Sequence, residues 1–344
     1  MLRFRSILAP FAALLLSGAV AASCSQNRTE TEEPSDPAGT AVLALNVSAT
    51  DLSEESAPLL SQEMMHSLRL IVLDSEGYAE HNILLDLSDA PCMTKEIAEF
   101  KVKAPDTKTV ILVANEAGAA IIRPDGVRIP AGEYFGAISA TAGQFVDLAE
   151  IRSLLIARSD ISLPLPMTEV HTVTIGREPY IYRRLPIVRA ASKYTFHITN
   201  TDPRNSRTID AVSLSHAARR SLFFPPPGAS GAADAGGEDV LSVECGLTVG
   251  PGATLDLAPV YVGEGLSAPE TEPYAAGLTV DGKDLGLKPL EWSAPDTPES
   301  VSLMTDLPRN THVVVNIRLT MTDFSIRYTV CPWNQETIDV PSFD

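Results

Sequence analysis

The first residue of the chain with a clear chemical task is Cys24, which stands directly behind the small residues Ala21, Ala22 and Ser23. Upstream lie Arg3 and Arg5 and an apolar run from Ile7 to Ala22. That run is too short and too rich in small residues for a permanent span, which is the make-up of a cleaved export signal. A thiol at the first mature position is an acyl acceptor whose sulfur takes up diacylglycerol before the signal is cut. The acyl chains then hold the protein to a membrane at about 0.8 kcal/mol per buried methylene. Residues 1–23 are read as a lipoprotein signal peptide and Cys24 as the lipidation site.

No other group of reactive side chains converges in this way. Cys92, Cys245 and Cys331 are far apart, with neither Cys-x-x-Cys nor His-x-x-x-His spacing, so they read as small buried apolar residues with a single Cys–Cys pair left open. The histidines His66, His81, His171, His197, His216 and His312 fall one to an element and read as satisfied or half-exposed side chains rather than ligands or bases. Asp74 and Glu76 share a turn, where carboxylates usually face water, and a Ca²⁺ held by oxygens alone would leave little signature there. Gly228-Ala229-Ser230-Gly231 lacks the strand-to-helix setting of a nucleophile elbow. Neither a phosphate loop nor a dinucleotide fingerprint occurs. The expectation is a non-enzyme with no catalytic, cofactor-binding or metal-binding residues.

The elements around these residues fit an exported β protein. Removal of the signal leaves 321 residues, enough for two domains, and takes the net charge from −18 to −20. Such a surface repels nucleic acid. Residues 24–39 are polar, acidic and proline-bearing, as in a flexible tether. From residue 40 the period-two pattern of half-buried strands takes over, first in TAVLALNVSA (40–49) and then in HSLRLIVL, TKTVILVA, EVHTVTIG, SKYTFHITN, IDAVSLSHA, ATLDLAPVYV, YAAGLTV, THVVVNIRLTMT and SIRYTVCPW. Apolar residues at spacings of three and four predict one helix over 143–160. FFPPPGASGAADAGGEDV (223–240) reads as a loop too rich in proline and glycine to pack. Arg177, Arg183, Arg184 and Arg189 cluster where one set of strands ends and the next begins. These patterns predict an all-β protein of two β-sandwich domains, 40–182 and 183–344, with a short helical insertion.

Five blocks carry a specific resemblance: LRLIVLDSEG, VILVANEAG with its strand ending in Ala-Asn, VRAASKYTFHI, RNTHVVVNIRLT, and YTVCPWN. Together with the site at Cys24 they resemble the fimbrillin family of Bacteroidales, the FimA-type or type V pilins. The resemblance implies two transthyretin-like sandwiches and export to the cell surface as an outer-membrane lipoprotein. The tether acids Glu30, Glu32 and Glu33 are similar to the surface-export signals of such lipoproteins, and equally to a solvated linker.

The family further implies that an Arg- or Lys-specific protease removes the tether together with the first strand. A strand from a neighbouring subunit then fills the groove by edge pairing, giving a filament. Here Arg28 is a candidate cleavage point that would free the lipid but keep strand 40–49, and residues 50–67 contain no arginine or lysine. The next basic residue, Arg69, lies inside a predicted strand. An uncut chain keeps its groove filled and can only donate, which points to an anchor or accessory subunit. The candidate donor is the tail 334–344, through Ile338, Val340 and Phe343, a segment that reads equally as an ordinary closing strand of the second domain. Partners would be other fimbrial subunits, with no cofactor and with the surface ligand unspecified. A polymerising stalk or tip pilin and a surface glycan-binding lipoprotein stand as alternatives; the latter needs exposed aromatic platforms, for which the sequence offers Trp292 and Trp333.

Overall fold

The computed structural model describes residues 39–49, 60–226, 240–265, 268–293 and 301–331. In the first half, β1 (Gly39–Ser48), β2 (Ser67–Leu73), β3 (Ala79–Asp86), β4 (Thr94–Ala104), β5 (Asp106–Ala114), β6 (Ala119–Ile122) and β7 (Arg128–Pro130) precede two short helices, α1 (Ala131–Gly136) and α2 (Leu148–Ser153). Strands β8 (Leu155–Ile161), β9 (Met167–Ile175), β10 (Tyr180–Pro186) and β11 (Val188–Arg189) follow. A three-stranded sheet, β10-β1-β4, faces a five-stranded one, β11-β9-β5-β2-β3. The far side of the five-stranded sheet packs on β6, β8 and the helices, so it is covered on both faces. That is why β2 and β5 carry continuous apolar runs. In β2, Leu68, Leu70 and Val72 enter one core while Ile71 and Leu73 enter the other.

The second half contains β12 (Ser192–Asn200), β13 (Arg207–Leu214), β14 (Arg220–Leu222), β15 (Leu241–Val249), β16 (Thr254–Asp256), β17 (Val260–Val262), β18 (Ala275–Val280) and β19 (Lys283–Pro289). It ends with β20 (Glu291–Ser293), β21 (Val301–Leu303), β22 (His312–Leu319) and β23 (Phe324–Cys331). Here the sheet β16-β12-β22-β23 and the sheet β15-β13-β18-β19 enclose one core built on Tyr194, Phe196, Leu278, Val313, Val315 and Phe324. The all-β expectation holds, and both sandwiches belong to one compact unit.

Three local expectations are corrected. The helix over 143–160 is reduced to α2: the Asp147 carboxylate caps it by accepting from the Ala149 N–H at 2.8 Å, and Leu154 already has extended backbone. Residues 155–161 pair instead with β6 and β14, so tertiary strand pairing overrides a helical spacing. The division at residue 182 falls inside β10, whose whole length from Tyr180 to Pro186 pairs with β1. Finally, Phe223 and Phe224 at the head of the expected loop are fully buried against Phe135, because β14 reaches back to β8 in the first half. Residues 227–239 lie outside the described residues.

The sandwiches meet at a buried polar junction. Asn115, held at φ 55°, accepts from the N–H groups of His66 and Ser67 and donates to the carbonyls of Met64 and Leu165 at 2.8 and 2.7 Å. This clamps the segment 62–67, which delivers Glu63 to the second sandwich. The Glu63 carboxylate lies 3.0 Å from Lys193 Nζ and accepts from the Tyr261 hydroxyl at 2.7 Å. Arg189 donates twice to the Glu63 carbonyl and once to Asn310 Oδ1. Arg309 in turn donates to the carbonyls of Arg189 and Phe223. Burial lowers both guanidinium pKa values to about 10.

Lys193 is enclosed, so removing its partner strands a buried charge. Glu63→Leu is expected to cost about 3–5 kcal/mol in chemical denaturation, and adding Lys193→Met to it is expected to recover most of that loss. A second prediction concerns alkaline pH. Burial pushes the phenols of Tyr194, Tyr261 and Tyr274 well up, and burial with the hydrogen bond to Glu150 pushes Tyr134 up to about 12. Phenols protonated in the fold above the ordinary value of ~10 contribute stability that is complete below about pH 10 and lost as pH rises through the folded values. An absorbance titration should show these tyrosines ionising together with loss of β-sheet dichroism, well above pH 10.

Candidate functional site

β1 is the middle strand of its sheet. It runs parallel to β10, with Val42 opposite Tyr180 and Ser48 opposite Pro186, and antiparallel to β4, with Gly39 opposite Ala104 and Ser48 opposite Thr94. Every second side chain from this segment, Ala41, Leu43, Leu45, Val47 and Ala49, points inward and is at most 2% exposed. They meet Leu68, Leu70, Val72, Val110, Leu112 and Val173 of the facing sheet. Burying Leu43, Leu45 and Val47 is worth roughly 5–9 kcal/mol by the usual transfer values, a sum comparable with the stability of a whole domain.

The geometry defines a slot. Without β1, β10 and β4 would each expose a row of unpaired backbone groups along an apolar floor, a template for another strand. The slot is not uniform: Leu43 faces Phe100 and Leu45 faces Ile97, so a two-residue step in β1 matches a three-residue step in β4. This bulge sits on β4. On the β10 rim Tyr180, Tyr182, Arg183 and Arg184 are exposed, and such charges blunt an edge against indiscriminate pairing. The segment after β1 is fastened independently of it, because Arg69 is buried and ion-paired with Glu116 at 2.6 Å and residues 62–67 are held at the junction.

The sequence-derived site residues Cys24, Arg28, Ile338, Val340 and Phe343 lie outside the described residues. The candidate site recognised in the structure comes from rims that sequence reading missed. β10 was concealed within an arginine cluster, although Ile181 and Leu185 carry a period-two signal, and β4 was concealed by its bulge. Several of the remaining reactive side chains have partners within the fold. His81 bonds the Lys101 carbonyl, His171 the Pro186 carbonyl, His197 the Asp256 carboxylate and His312 the Thr195 hydroxyl. Asp74 accepts from the N–H groups of Glu76 and Tyr78 and so organises its own turn, closed by Gly77 at φ +90°. Cys92 and Cys245 are free thiols. Among the described residues no cluster of three or more His, Cys, Asp or Glu side chains could hold a metal ion.

No protein-family model matches the chain, and no curated protein matches it in sequence. Solved structures do match in shape. A candidate cell adhesion protein from Parabacteroides distasonis superposes with a TM-score of 0.54 at 15% identity, over 86% of this chain and 98% of that one. The tip fimbrial protein Mfa3 from Porphyromonas gingivalis, truncated at its C-terminus, gives 0.51 at 17% identity, over 86% and 100%. The fold is of the fimbrillin type. A candidate cell adhesion protein from Bacteroides eggerthii superposes with a TM-score of 0.51 at 12% identity, over 87% of this chain and 98% of that one. At these identities the likeness speaks for the fold.

A chain beginning at Leu60 is expected to bind an apolar fluorescent dye and to release it when a peptide of residues 39–49 is added, with a parallel rise in melting temperature. The same peptide carrying Leu43→Asp and Leu45→Asp should leave both readings unchanged.

Proposed function

We propose that this protein is a non-enzymatic structural subunit of a surface fimbria, held to the outer membrane through acylated Cys24 and joined to other subunits by exchange of a β-strand. Within such a fibre it serves as an anchor or accessory subunit. The observation that carries the reading is the place of β1, the first strand among the described residues, as the central strand of a sheet and the plug of its core.

The anchor assignment rests on what lies between β1 and β2. Residues 40–68 contain no arginine or lysine. Arg69 is enclosed by Glu116 and Asn82, which hold its guanidinium at 2.6 and 2.9 Å. A protease specific for basic residues therefore has no site at which to separate β1 from the folded body. A subunit that keeps β1 cannot accept a strand, and its contribution to a fibre is to donate one. In the tail, Ile338 and Val340 occupy alternate positions, as the apolar residues of β1 do.

The deciding measurement is the mass of the mature N-terminus of protein recovered from the cell surface. An acylated Cys24 with residues 39–49 retained is expected, together with loss of fibres from cells carrying Ile338→Asp and Val340→Asp. A lipid-free N-terminus between residues 50 and 69 would overturn the anchor assignment and make the chain a polymerising stalk or tip subunit.

A further inference from the structure

Where the turn between β2 and β3 meets the connection from α1 to α2, two aromatic rings stand in water. Tyr78 and Phe145 face each other across an antiparallel bridge, 43% and 57% exposed, with ring centres 5.7 Å apart and planes at 67°. Other ring pairs, such as Phe135 with Phe223 and Tyr194 with Phe196, lie in the cores. The exposed pair is held by the backbone around it. The Val146 N–H donates to the Gly77 carbonyl and the Ala79 N–H to the Gln144 carbonyl, both at 2.9 Å. Gln144 Oε1 accepts from the Ser139 N–H at 3.0 Å, and Asp74 accepts from the Tyr78 N–H at 2.9 Å to fix the turn. Gly77, at φ +90°, makes room for the platform, because a Cβ there would lie 3.0 Å from an edge carbon of the Phe145 ring. A phenyl ring has no hydrogen bond to offer water. A fold that fixes one at the surface keeps a flat apolar face ready for a ligand with little ordering left to do on binding.

We propose that Tyr78 and Phe145 form the platform of a glycan-binding site for a neutral, β-linked hexopyranose. The phenyl face takes the C–H face of the sugar ring, and the Tyr78 hydroxyl, the Glu76 carboxylate and the Gln144 amide bond sugar hydroxyls. Charge selects a neutral sugar: Glu76 and Asp147 are exposed acids beside the rings in a chain of net charge −18, which disfavours a phosphate, sulfate or uronate. Lys103, which reaches this turn, is paired with Asp74 at 3.4 Å. Composition selects a sugar over a protein partner. The flanking residues Ser75, Glu76, Thr141, Gln144 and Asp147 are exposed and polar, whereas the core of a protein contact is apolar and depleted of charge. The rings come from neither Trp292 nor Trp333. The proposal goes beyond the assembly reading and does not depend on it, because neither ring takes part in the slot around β1.

The test is a titration of the intact mature protein with the methyl β-glycosides of glucose, galactose and N-acetylglucosamine, read by saturation-transfer NMR. Saturable binding of at least one glycoside is expected, with saturation reaching its ring C–H protons. Phe145→Ala should weaken it about tenfold or more at an unchanged melting temperature. Phe145→Trp keeps a stacking face and should bind at least as well as wild type. Tyr78→Phe and Glu76→Gln each remove one hydrogen-bonding group from an exposed position and should weaken binding severalfold; they decide the matter if Phe145→Ala fails to fold. The proposal is overturned if none of the three glycosides saturates, or if Phe145→Ala, or both Tyr78→Phe and Glu76→Gln, bind as wild type. It is also overturned if a proline-rich or lysine-rich peptide binds at these rings and the glycosides do not, which would make the pair a protein contact.

Discussion

The packing of the two sandwiches depends on one buried ionic contact, the Glu63 carboxylate against Lys193, with Arg189 bonded to the carbonyl of the same glutamate. Charges taken out of water are tolerated where geometry and hydrogen bonds compensate their desolvation. Here the compensation comes from three places in the chain: Tyr261 and Asn310 from the second sandwich, and Asn115, which positions the glutamate-bearing segment, from the first. An apolar contact could hold two sandwiches together in many orientations. A set of directional hydrogen bonds selects one.

This junction also explains the blocks of sequence that resemble fimbrillins. Ala114-Asn115, the Arg189 block and Arg309-Asn310 are distant in sequence and look like unrelated strand ends. In the fold they close on one another: Asn115 adopts the left-handed backbone that ends β5, Asn310 does the same before β22, and Arg309 reaches the carbonyls of Arg189 and Phe223. What the sequence displays as scattered motifs is one polar knot. Its partners Glu63 and Lys193 sit in an ordinary-looking acidic loop and an ordinary strand, and no local pattern singles them out.

The strands themselves are legible in proportion to how regularly apolar and polar residue types alternate along them, even where both faces are buried, as in β12 and β22. β1, β12 and β22 alternate cleanly enough to be read from residue types, and the runs in β2 and β5 follow from burial on both faces. β4 escapes because its bulge shifts the inward set from Ile97 to Phe100, breaking the period within the strand. β10 escapes because Arg183 and Arg184 mask the pair Ile181 and Leu185, and β8 because its apolar residues also fit a helical spacing.

The separation between the slot and the junction bears on how a strand could be exchanged at all. If β1 shared its contacts with the interdomain knot, removing it would loosen both sandwiches. Instead its inward residues pack within the first core, while the knot takes hold of the chain only from Gln62 onward. An incoming strand must then satisfy two rims and five inward positions, filled at present by Ala41, Leu43, Leu45, Val47 and Ala49. The tail of this chain offers apolar residues at alternate positions only at Ile338 and Val340, with Glu336 and Ser342 on either side. By that count it would fill this chain's own slot poorly, since Glu336 would meet an apolar position without a partner. If the tail does donate, this mismatch favours a neighbour whose slot has fewer or shallower apolar positions over a second copy of this chain, the asymmetry that a subunit placed at one end of a fibre would need.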